Sequence, residues 1–138
     1  MFPHELKKPF QYQNYQIEKE KLLLNKFLEE VLTQRKFKLI NQPSYLSSYM
    51  PRLSTVDNAW INWDLDIIEL FSFICAFDDP YPGSSTYVNN KLVRIKSVNF
   101  TKAEKKFHPY EYGLVYRKND KWMVVTCNSG SLIIEEVV

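Results

Sequence analysis

Phe73-Ile74-Cys75-Ala76-Phe77-Asp78-Asp79-Pro80-Tyr81-Pro82-Gly83-Ser84 is the stretch on which the fold turns. Two prolines fix two backbone angles and remove two amide donors, Gly83 admits a positive φ, and the paired aspartates accept hydrogen bonds from nearby amides. Residues of these types solve a backbone problem and supply no reactive group. Asp78, Asp79, Pro80, Tyr81, Pro82 and Gly83 are therefore read as a structural corner, with Asp79 and Tyr81 able to reach a neighbouring domain or substrate.

On the N-terminal side of the corner the apolar period is helical. Asp66 is placed to cap the free amides, with Glu69 three residues on, and Ile67, Phe71, Ile74 and Cys75 define one buried face of a helix ending near Phe77. On the C-terminal side the pattern is β. Five short Val-, Ile-, Tyr- and Thr-rich runs are expected at 84–88, 92–100, 113–117, 122–126 and 132–137. Turn signals at Asn89-Asn90, Asn119-Asp120 and Ser129-Gly130 suit hairpins, so strands adjacent in sequence are expected to pair antiparallel. The class is α+β, with one helix and a five-stranded antiparallel open barrel of the oligonucleotide- and oligosaccharide-binding type.

Further upstream, Leu24, Phe27, Leu28, Val31 and Leu32 recur at three- and four-residue intervals, predicting an amphipathic helix over 17–36 with one buried stripe. Pro43, Pro51 and four serines then make the chain irregular. The expected division is a helical segment over 1–40, a linker over 41–59 and a β domain over 60–138. Trp60 and Trp63 bracket its entry.

A chain of 138 residues with 45% hydrophobic and 15% aromatic side chains can bury a real core. Its apolar runs are far shorter than the roughly 20 residues of a membrane-spanning helix, and Pro3, His4, Glu5 and Pro9 interrupt any leader core, so no membrane contact and a cytoplasmic location are expected. Cys75 and Cys127 read as reduced core thiols. The net charge is +2; the nine Lys and Arg against six Asp and Glu of residues 1–59 leave +3, and nine against ten leave −1 for 60–138. That balance is poor for a surface that follows phosphates. With glycines only at 83, 113 and 130, no glycine-rich loop can cradle a nucleotide. His4 and His108 belong to no metal or nucleophile motif, and Glu135-Glu136 point to opposite faces of a strand, so no catalytic, cofactor or metal residue is assigned.

Trp60-Ile61-Asn62-Trp63 followed by the Phe73 to Ser84 stretch resembles the formyltransferase C-terminal domain, whose "I-D/N-W" start precedes an "R-A-x-x-P-x-P-G-A" corner. Cys75 stands where arginine is common and Ser84 where alanine is usual. Met50-Pro51-Arg52-Leu53, His108-Pro109-Tyr110 and Gly113-Leu114-Val115-Tyr116-Arg117 resemble the sugar N-formyltransferase branch more than the methionyl-tRNA branch. The resemblance runs from about Leu24 to the C-terminus.

It implies a transferase family in which formyl-tetrahydrofolate and the catalytic asparagine, histidine and aspartate belong to a separate N-terminal domain, around an "H-x-S-L-L-P" type motif that nothing here matches. The helix over 17–36 would correspond to that domain's last helix, making this chain an excised piece or a truncated gene product that is inactive alone. Its implied partners are its own catalytic domain, a second copy, and a sugar nucleotide or tRNA reached through the parent enzyme. The first reading is thus an accessory domain for an amino-sugar nucleotide formyltransferase. The alternative is a tRNA-binding domain, for which Arg94, Lys96, Lys102, Lys105 and Lys106 would form a basic strip beside Tyr87 and Phe100.

Overall fold

The computed structural model describes residues 3–102 and 107–138. Asp66 opens the central helix, α3 (Ile67–Ala76), by accepting a hydrogen bond from the Ile68 amide at 2.9 Å. Ile67, Leu70, Ile74 and Cys75 are its buried face, Phe77 is buried just beyond it, and Phe71 is half-buried with its ring 5.0 Å from that of Phe100. Each fully buried Leu or Ile contributes about 1.5–3 kcal/mol, so this short helix is held by packing rather than by propensity.

Below it lies one antiparallel sheet of β1 (Ser84–Val88), β2 (Lys91–Lys102), β3 (Val115–Lys118), β4 (Met123–Cys127) and β5 (Gly130–Val137), in the order β1-β2-β5-β4-β3. Asn89 and Asn90 both take positive φ, 51° and 62°, which is what a two-residue hairpin turn between twisted strands requires. Pairing of sequence neighbours holds for β1–β2, β3–β4 and β4–β5 but fails for β2 and β3. β2 pairs with β5 instead, because the twelve residues between Lys102 and Val115 are too many to impose a hairpin register. Ser97, at φ 47°, breaks the inward-outward alternation, so Ile95 and Val98 both enter the core although three residues apart.

The N-terminal expectation needs correction. The helix, α1 (Pro9–Leu32), starts eight residues earlier than expected, with Pro9 at its first position and the Gln11 side chain accepting from the amides of Lys7 and Lys8. It ends at Thr33, whose hydroxyl donates to the carbonyls of Glu29 and Glu30, and Gln34 follows at φ 55°. Its predicted apolar stripe is present but not buried: Leu24, Phe27, Leu28, Val31 and Leu32 are 45% to 82% exposed. Spacing fixes the face that seeks cover, not the presence of a cover, and the Phe37 ring, 5.5 Å from that of Phe27, shields only part of it.

A one-turn helix, α2 (Thr55–Asn58), leads into Ala59, which is fully buried. The Ser85 amide donates to the Ala59 carbonyl at 2.7 Å and the Ile61 amide to the Ser85 carbonyl at 2.9 Å. These bonds cover the free edge of β1 and pin the end of the linker to the domain.

Candidate functional site

The corner after α3 is where three parts of the chain meet. The Asp78 carboxylate is 1% exposed and takes three bonds: from the Asp79 amide at 2.7 Å, the Ser97 amide at 3.1 Å and the Lys8 ammonium at 2.8 Å. Burial pushes the Asp78 carboxyl up, but the bond from Lys8 and those from the two amides outweigh it and hold the group below the ordinary carboxylate range. The Asp78 bond in turn raises the Lys8 ammonium, against the opposing effect of burial. A further bond, from the Phe10 amide to the Asp79 carbonyl at 3.3 Å, seats the first turn of α1 on the corner.

The turn itself is closed by the Tyr81 amide on the Asp78 carbonyl and the Gly83 amide on the Phe77 carbonyl, both at 3.0 Å, around a cis Asp79–Pro80 bond. Gly83 has φ 100°, and a Cβ there would stand 2.9 Å from the Ile95 carbonyl oxygen. Both conformation and space demand glycine. The start of α1 is seated on this corner through Lys8 on Asp78 and the Phe10 amide on the Asp79 carbonyl. Lys8 is the member that sequence reasoning missed, and no local signal marks a partner so distant in sequence.

Lys96 is bound to Asp79 at 2.6 Å with its side chain only 13% exposed, Arg94 is half-buried on β2, Lys102 is exposed at its end, and Lys105 and Lys106 lie outside the described residues. His108 caps a single 3-10 turn, its Nδ1 accepting from the Tyr110 amide at 3.3 Å, and Glu135 accepts from the Ser97 hydroxyl. Burial pushes the Cys75 and Cys127 thiols up to about 11. Among the described residues no group of three His, Cys, Asp or Glu is placed to hold a metal ion, and no helix is long and apolar enough to cross a membrane.

An open antiparallel sheet, a helix across one end of its concave face and a proline-glycine corner between them define a small open-barrel module. The family profile described as "Formyl transferase, C-terminal domain" matches residues 54–138, and the chain belongs to that family. Among solved structures, a multiply substituted HypX from Aquifex aeolicus superposes with a TM-score of 0.71 at 18% identity, over 99% of this chain and 24% of that one. HypX from Aquifex aeolicus in complex with tetrahydrofolic acid aligns with a TM-score of 0.57 at 21% identity, over 78% of this chain and 18% of that one. The chain therefore spans a quarter or less of these HypX chains. Among curated proteins no match is found.

Proposed function

We propose that this chain is the non-catalytic C-terminal accessory part of a formyl-tetrahydrofolate-dependent formyltransferase whose acceptor is an amino-sugar nucleotide. The observation that carries the accessory role is the uncovered stripe of α1, anchored at one end by Lys8 on Asp78 and followed by exposed Leu39, Ile40, Tyr45, Leu46, Tyr49 and Met50. An apolar surface of this extent, just ahead of a domain of this family, fits burial against a catalytic domain.

The residues present do not fit the folate or its chemistry. Formyl transfer needs a base to keep the amine neutral and a donor for the developing oxyanion, whereas His108 is committed to its turn and the carboxylate of Asp78 to Lys8 and two amides. This chain contributes position: it holds α1 and the linker in a fixed relation to the open barrel. The acceptor class rests on Met50 to Leu53, His108 to Tyr110 and Gly113 to Arg117, and on the net charge of −1 over residues 60–138.

Sedimentation of the chain with a separately produced formyltransferase catalytic domain tests the reading. One-to-one association, abolished by Leu28→Asp, is expected. Self-association through the same stripe, with no affinity for the catalytic domain, would assign α1 to a homodimer and overturn it. Sub-micromolar, steeply salt-dependent binding of initiator tRNA in the same series would overturn the sugar-nucleotide assignment.

A further inference from the structure

Helix α3 closes only one end of the concave face of the sheet. Toward the other end a cavity of about 560 Å³ stays open, within the range of small-molecule sites. Cross-strand partners line it in pairs: Thr86 with Val93, Val115 with Val125, and Met123 with Ile134. Val88, Val115 and Val137 on this lining are 42% to 47% exposed, an aliphatic surface in the place where a barrel would hold its interior. Its inner wall is Trp63, whose indole nitrogen donates to the Thr86 hydroxyl at 3.2 Å. The ring lies so close over Gly113 that a Cβ there would stand 3.2 Å from it.

Among the described residues the only charged ones on the lining are Arg117 and Lys118, both exposed and in no ion pair; Lys118 pairs in register with Met123 on the cavity face, whereas Arg117 pairs with Val124 on the other. Of the three side-chain hydroxyls on the lining, that of Thr86 takes the Trp63 N–H and that of Tyr116 pairs with the Ser131 hydroxyl at 2.9 Å, the third being that of Tyr87. A nucleobase would bury several amino and carbonyl groups against a lining with few uncommitted polar groups, whereas an alkyl chain has none to lose. A cationic rim over an aliphatic floor selects a molecule that is apolar along its body and anionic at one end.

We propose that this open end of the barrel binds an alkyl carboxylate of the fatty-acid class, its chain on Val88, Val93, Val115, Met123 and Val137 and its carboxylate at Lys118. The site uses none of the corner residues and stands independently of the formyltransferase reading.

Decanoate titrated into the methyl-labelled chain, followed by carbon-13 correlation spectra, tests the site. Saturable shifts confined to those five residues are expected. Affinity should weaken about tenfold or more in Lys118→Glu, the scale of a lost charge-assisted bond. Val115→Asp, on the exposed edge strand β3, should abolish binding; should that variant fail to fold, Lys118→Glu decides alone. Lack of saturable shifts up to about 1 mM, the weakest affinity such a site would usefully show, overturns the proposal. So does equal affinity for decanol, unchanged affinity in the variants, or tighter binding of uridine monophosphate at the same methyl groups.

Discussion

Replacing Asp78 by alanine removes the acceptor at the centre of the corner. Three donors lose it, the Lys8 ammonium and the amides of Asp79 and Ser97, at 2.7 to 3.1 Å. An amide left dry costs about 1–3 kcal/mol, and breaking a buried ion pair by removing one partner costs about 3–5 kcal/mol. Two effects pull the sum down: Asp79 is exposed, so its amide can find water, and the cost of burying a carboxylate disappears. The expected loss for Asp78→Ala is therefore about 3 kcal/mol, and for Asp78→Asn, which keeps an oxygen acceptor, about 1–2 kcal/mol.

Urea unfolding followed by tryptophan fluorescence measures both. Because the folded Asp78 carboxyl lies below its ordinary 3.8, its contribution is fully present above that value and is lost as pH falls through the folded pKa. The stability gap between the native chain and Asp78→Asn should be constant near neutrality and narrow below pH 3.8. A loss under about 1 kcal/mol for Asp78→Ala, or a gap that does not narrow in acid, would refute the corner as a buried dock.

Gly83→Val places a branched side chain at φ 100° against the Ile95 carbonyl and should cost at least about 2 kcal/mol in the same titration; unchanged stability would mean the corner relaxes freely. Cys75 and Cys127, buried with thiols near 11, should resist iodoacetamide at pH 8 in the folded chain and react fully in urea, and rapid modification of either in the folded state would show the core to be open.

The corner and the elements flanking it were legible because each is set by local chemistry. Asp66 caps the first turn of α3, Asn89 and Asn90 accept positive φ, and the Val-, Ile- and Thr-rich runs favour extended backbone. The features that escaped were set by distance. Nothing in the local sequence joins Lys8 to Asp78, or β2 to β5 across the long connection. The strength of the stripe on α1 was readable, but its cover is not a property of the helix. The shared face of Ile95 and Val98 stayed hidden because regular alternation would have put them on opposite faces, and Ser97 breaks it.

Formyl transfer measured on the purified chain tests the central claim most directly. With formyl-tetrahydrofolate and an amino-sugar nucleotide, the chain alone should give no turnover above the uncatalysed background, since a positioned base and an oxyanion donor each contribute about 10²–10⁴-fold and neither is assembled here. Adding a separately produced catalytic domain should give turnover that rises with the amount of this chain and falls when Leu28→Asp removes the contact. Turnover by the chain alone, abolished by His108→Ala, would contradict the account.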